Sequence, residues 1–148
     1  MIRNLFKSDL ASILTIEQSV HVAPWNEETF KMCFQSGYAG WAVELNKKVI
    51  AFIIVSLQHQ ECHILNICVA RECQQQGWGG KLLDHVLAHA KQQGAAIIYL
   101  EVRRTNQRAI SLYKRRQFQQ VGERKGYYPT VNGTEDALIY ARSLVDWV

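Results

Sequence analysis

Three groups of residues in this 148-residue chain are of types, and at spacings, that could do chemistry together. The loop Gln74-Gln75-Gln76-Gly77-Trp78-Gly79-Gly80 sets three glycines at the start of an amphipathic run. Without bulky side chains, successive backbone N–H groups at a helix N-terminus can converge on an anion, and a pyrophosphate is the natural guest. Glu101 ends the apolar stretch "AAIIYL". Ligands of open α/β sheets sit beyond the carboxyl ends of strands, so a carboxylate there is a candidate proton acceptor. Asn106, Ala109, Ile110 and Tyr113 fall on one helical stripe, with Asn106 and Tyr113 about 10 Å apart on a shared face, and the Tyr113 phenol can donate a proton. Each group also has a plainer reading. The glycines can simply make a turn, Glu101 can pair at the surface with Arg103 or Arg104, and Tyr113 can be core packing. Two familiar phosphate motifs do not fit, because Leu82 stands where the dinucleotide fingerprint needs its third glycine and where a P-loop needs Ser or Thr after Gly80-Lys81.

The elements that must position these groups are legible from periodicity and capping residues. A short strand near Ile2 to Phe6 leads to a helix capped by Ser8 or Asp9 and carrying Leu10, Ile13, Leu14 and Ile16. After Pro24, Asn26 can cap a second helix that presents Phe30, Cys33 and Phe34. "GWAVEL", "VIAFIIVSL" and "CHILNICVA" are strands separated by polar turns, hence an antiparallel meander. The glycine loop then opens a helix with Leu82, Leu83, Val86, Leu87 and Ala90 on one stripe, closed by Gly94. "AAIIYLEV" follows as a buried strand, so the strand–helix–strand order predicts a parallel crossover. A further helix capped by Thr105 or Asn106 precedes strands near Phe118 to Glu123 and Ala137 to Arg142. The two prolines, Pro24 and Pro129, are expected in loops.

Composition narrows the functional classes. A chain of this length can bury roughly two thirds of its unfolded surface as one domain, 1–148, without metal or disulfide staples. With 48% apolar and 20% charged residues it reads as globular, and its formal charge of +4 suits an anionic ligand without the dense basic stripe of a nucleic-acid binder. Cys33, Cys62, Cys68 and Cys73 form no CxxC pair, "MIRNLFKSDL" lacks a leader's apolar core, and "VIAFIIVSL" is too short to span a membrane. A reducing cytoplasm is the expected location. Cys68, inside an apolar strand, reads as an inert core residue. Neither His59, Cys62 and His63 nor His85 and His89 make a complete metal set, and the latter two are expected on a solvated helix face. The cluster "YKRRQF" with Arg103 and Arg104 can attract phosphates or RNA, or be a solvated basic face.

"Q-Q-Q-G-W-G", Gln74 to Gly79, resembles the Q/R-x-x-G-x-G/A signature of the GNAT acetyltransferases. "HVAPWNEETF", "LNICVA", "QQQGWGGKLLDHVL", "YLEVRRTNQRAISLYKRRQF" and "YYPTVNGTEDALIY" extend the resemblance over nearly the whole chain, to the RimI-type members that acetylate the N-terminal alanine of small-subunit ribosomal protein eighteen. The resemblance implies an α/β (α+β) fold: a mixed, mostly antiparallel sheet splayed between strands four and five and flanked by about four helices. It implies acetyl-CoA as co-substrate, no metal, and direct transfer in a ternary complex. Main-chain groups of Ile67, Cys68 and Val69 would receive the acetyl and pantetheine part, and Gln75, Gln76, Gly77, Trp78, Gly79 and Gly80 would cradle the pyrophosphate. Glu101 would be the base, Asn106 a CoA contact, and Tyr113 the acid for the departing thiolate. Tyr127, Tyr128 and Pro129 resemble the peptide-facing loop. The implied partner is the ribosomal protein's N-terminus, with no membrane and no direct nucleic-acid role. Three positions depart from the pattern: Gln75 where Arg is frequent, Trp78 where an aliphatic residue is usual, and Gly80 where a basic residue is common. An α-amine, with a pKa of about 8 against about 10.4 for lysine, is the easier acceptor at neutral pH. Alternatives are a GNAT enzyme for a lysine, polyamine or other small amine, and a noncatalytic CoA- or RNA-binding module.

Overall fold

The run of apolar residues in β3 (Lys48–Gln58) is continuous because the strand is covered on both faces: Val49 through Val55 are all buried. Ile53 and Val55 pack with the helix α3 (Trp78–Gln92), whereas Phe52 and Ile54 pack with α1 (Leu10–Val20) and α2 (Glu27–Gln35). The computed structural model, which describes residues 1–145, is thus three layers, with α1 and α2 on one face of a sheet and α3 and α4 (Gln107–Arg115) on the other. The seven strands are ordered β1-β2-β3-β4-β5-β7-β6, with β1 Ile2–Asn4, β2 Ala39–Leu45, β4 Glu61–Val69, β5 Ile97–Arg103, β6 Gln119–Thr130 and β7 Gly133–Ser143.

β2 to β4 form the expected antiparallel meander, and β1 pairs antiparallel with β2 at its edge. Its two-residue turns, Asn46-Lys47 and His59-Gln60, have both residues at positive φ, the twist that matches a tight hairpin. β4 pairs β5 in parallel, bridged by α3, whose Leu82, Leu83, Val86, Leu87 and Ala90 are buried as the stripe requires. Gly94 closes that connection at φ +85°. Asn26 caps α2 by accepting from the Thr29 amide at 2.9 Å, and Asn106, rather than Thr105, caps α4 through the Ala109 amide at 3.2 Å.

Several expectations are corrected. Asp9 stands at the start of α1 but does not cap it, because its carboxylate takes the Phe6 amide at 2.8 Å and two Arg3 donors at 2.9 Å. Pro129 lies within β6, not in a loop; β6 is the last strand of the sheet, where a missing ladder donor is tolerated. The β6–β7 hairpin also reaches further than its apolar segments, and the extension carries ion pairs of Glu135 with Arg103 and of Asp136 with Arg104 and Lys125. His85 is exposed as expected and His89 half-buried, and both rings also meet Trp41 in T-shaped contacts, with centroids 5.1 and 4.8 Å away.

Candidate active site

The parallel pairing of β4 and β5 runs only from Glu61/Ile97 to Ile64/Leu100. Beyond that point Asn66–Val69 of β4 pair only with β3, Leu65 being the extra residue at a register shift, and Glu101–Arg103 of β5 pair only with β7. A sheet opened this way presents unpaired backbone groups along the inner edge of β4, ready for a ligand's amides. On the α3/α4 side, the opening widens into a cleft of about 800 Å³ lined by Ile67, Cys68, Val69, Gln74, Gln75, Gly77, Trp78, Gly79, Gly80, Asn106 and Tyr113. Nine of the ten positions expected to bind the cofactor therefore converge on one cleft. Gln76 is not among its lining residues and accepts the Trp78 indole N–H at 3.3 Å.

Local geometry explains how the loop turns into α3. Gly77 holds φ +90° with open space where a Cβ would project, and Gln75 also has positive φ, so the chain turns sharply into α3. The first amides of α3, beginning at Trp78, have no intrahelical partner. These free N–H groups, the helix dipole and the unpaired edge of β4 fit an elongated anionic thiol ester such as acetyl-CoA. Trp78 is half-buried and carries the Lys81 ammonium over its ring at 4.6 Å.

A second cleft, of about 570 Å³, is lined by Trp25, Thr29, Met32, Ile64, Leu65, Leu100, Glu101, Arg124, Tyr127 and Tyr128, among others. Ile64 and Leu100, the last paired residues, lie in its wall, and Glu101 is the first β5 residue past the split. Glu101 pairs with Arg124 at 2.8 Å, not with Arg103 or Arg104, which are engaged by Glu135 and by Glu123 with Asp136. Tyr113 is buried in the first cleft, tilted against Phe118 with ring centroids 5.9 Å apart. Burial, and then the nearby Tyr128, push its phenol well above the ordinary tyrosine range. Tyr128 is itself raised to about 12, by burial first and then by Glu101 and Tyr127.

Sequence reasoning did not find the tie that holds the two clefts in register. Glu17 is buried, and its Oε2 accepts the Trp25 amide at 3.0 Å while Oε1 accepts the Asn66 side-chain amide at 2.9 Å. His21 Nε2 lies 3.4 Å from Oε1. The carboxylate thereby joins α1, the loop leading to α2, and β4 between Leu65 of one cleft and Ile67 of the other. The available signal was a charged residue one turn beyond Ile13, on a stripe otherwise apolar. Cys68 brings its sulfur within 4.8 Å of the Glu17 and His21 donors. Burial, then the Glu17 charge, push its thiol far up, which suits a packing role.

A sheet opened between its fourth and fifth strands, with a glycine cradle at the next helix, defines an acyl-transfer scaffold, and residues 9–118 match the Acetyltransferase (GNAT) family. The chain belongs to that family. More particularly, it is 38% identical over 140 residues, 95% of both chains, to the ribosomal protein bS18-alanine N-acetyltransferase of Escherichia coli strain K12. The crystal structure of the ribosomal-protein-S18-alanine N-acetyltransferase from Escherichia coli superposes with a TM-score of 0.94 at 36% identity, covering 100% of this chain and 96% of that one. Arabidopsis thaliana NAA60 in complex with acetyl-CoA shares the fold, with a TM-score of 0.86 at 19% identity and 97% of each chain covered.

Proposed function

We propose that this chain transfers the acetyl group of acetyl-CoA to the N-terminal alanine amine of ribosomal protein bS18. The observation that carries the reading is the split after Ile64 and Leu100, which places Glu101 in one cleft and Tyr113 in the other, on either side of one opening. The resemblance in sequence to the bS18-alanine enzyme supplies the substrate.

Acetyl-CoA supplies an activated thioester. The Gly77–Gly80 amides hold its pyrophosphate, the edge of β4 at Ile67–Val69 holds its pantetheine, and Asn106 borders the same cleft. The peptide enters the second cleft beside Tyr127 and Tyr128, and its α-amine takes the place of Arg124 next to Glu101. Glu101 accepts the amine's proton, freeing the lone pair for attack on the carbonyl carbon. As the carbon–sulfur bond breaks, the Tyr113 hydroxyl donates to the sulfur, and the surplus proton left on the new amide nitrogen passes through solvent to restore the phenol, which burial keeps protonated in the physiological range between turnovers. The raised Cys68 thiol makes an acyl-cysteine route unfavourable, so transfer is direct. Free cysteines suit a reducing cytoplasm as the site of action.

The test is release of CoA thiol with a peptide bearing the ribosomal protein's alanine N-terminus, compared with the same peptide N-terminally blocked. Thiol release that vanishes on blocking is expected. Equal release from both peptides, or from neither, overturns the assignment.

A further inference from the structure

The cofactor read into the first cleft carries three phosphate groups, yet Gln74–Gly80, the loop that cradles them, contains no cation. Half a charge from the α3 dipole does not balance that load. Among the described residues, several cations near the cleft are already committed. Arg71 also lines the cleft and keeps its charge, but its Nε and Nη2 are turned to the Ser19 and Val20 carbonyls at the end of α1, at 2.6 and 3.5 Å. Lys81 lies over Trp78. Arg116 is bound in a fork by Asp84, at 2.8 and 3.2 Å, and its guanidinium packs where a side chain on Gly80 would begin.

Two arginines differ. Arg108 and Arg115 both line the cleft, both are exposed, and both stand on α4 seven residues apart, hence on one face about 10.5 Å from each other along the axis. Arg108 uses one nitrogen on Gln74 Oε1 at 3.1 Å, which aims the guanidinium at the loop and leaves its other donors available. Arg115 has no ion-pair partner among the described residues.

We propose that Arg108 and Arg115 form the phosphate clamp for the CoA moiety, so that the positive charge missing from the loop is delivered from α4 across the cleft. The proposal rests on the acetyl-CoA reading above. It also gives Gln74 a role: its Oε1 orients Arg108, while its Nε2 donates to the Val69 carbonyl at 3.0 Å, so one side chain links the clamp to the β4 edge.

The experiment is calorimetric binding of CoA and of 3′-dephospho-CoA to the full chain and to Arg108→Gln, Arg115→Gln and the double variant. Lys114→Gln, an exposed cation on the same helix outside the cleft lining, serves as the control. Each arginine variant is expected to weaken CoA about tenfold, as for loss of one charge-assisted contact, and the double variant more, with a shallower salt dependence. The control is expected to bind as the wild type does. A loss confined to CoA places the clamp on the 3′-phosphate, and an equal loss for both ligands places it on the pyrophosphate. CoA affinity within twofold of wild type in the double variant overturns the clamp while leaving the cofactor reading intact. No binding of CoA by the wild type overturns both.

Discussion

Replacing Tyr113 by Phe removes one hydroxyl from the interior of the first cleft and leaves everything else that residue does. The ring keeps its packing against Phe118, so the change is confined to the hydroxyl. The change in folding stability is therefore expected to stay within about 1 kcal/mol. The catalytic effect is larger. A positioned acid is worth roughly 10²–10⁴ in rate. Because burial makes this phenol a weaker acid than a free tyrosine, the low end applies, about a hundredfold in kcat, or about 2.7 kcal/mol in the barrier. Acetyl-CoA affinity should hold within about twofold, since the hydroxyl acts on the departing sulfur. The assay is thiol release at saturating acetyl-CoA and peptide, with a thermal melt on the same preparation. A well-folded variant that turns over within twofold of wild type refutes the role of Tyr113.

Glu101→Gln should lower kcat about a hundredfold at pH 7 and recover partly as pH rises past the α-amine pKa of about 8, where the amine arrives already neutral; a pH–rate profile parallel to wild type would contradict a base at this position. Glu17→Ala, which deprives the Trp25 and Asn66 donors of their acceptor, should cost about 2–4 kcal/mol in urea unfolding, and an unchanged midpoint would show that the tie contributes nothing. Alkaline stability follows from the two buried phenols. Both are raised in the folded state, so their contribution is complete below the unfolded value of about 10 and is lost as pH rises, for Tyr128 by about pH 12. Tyr128→Phe should therefore flatten the fall in stability between about pH 10 and 12, and an identical slope would contradict the burial of that hydroxyl.

Elements with their own periodicity or capping chemistry were readable directly. The α3 stripe, the Asn26 cap and the meander follow from spacing that local physics enforces. Partner choice was not readable in this way. Asp9 was available as a cap in sequence, but Arg3, on an adjacent strand, competes for it. Glu101 has two arginines close behind it in the chain, yet alternation along β5 and the fold of β6 bring it Arg124 instead. The split between β4 and β5 came only from resemblance, since it depends on where a parallel register stops, and nothing in the residues from Ile64 to Val69 marks that point. His85 is exposed as a helical wheel indicates, but the wheel shows only its own element and misses Trp41, which reaches both His85 and His89 from β2. The sharp glycine turn into α3 was legible, but the arginines that line the same cleft from α4 became visible only in the fold.

The most direct test of amine selection is a mass spectrum of intact, unacetylated ribosomal protein bS18 after incubation with this enzyme and acetyl-CoA, followed by fragmentation to locate the added group. One acetyl on the α-amine of the N-terminal alanine, with every lysine unmodified, is the expected result. Acetyl groups on lysines with the α-amine left free would contradict a cleft built to deliver an N-terminus to Glu101.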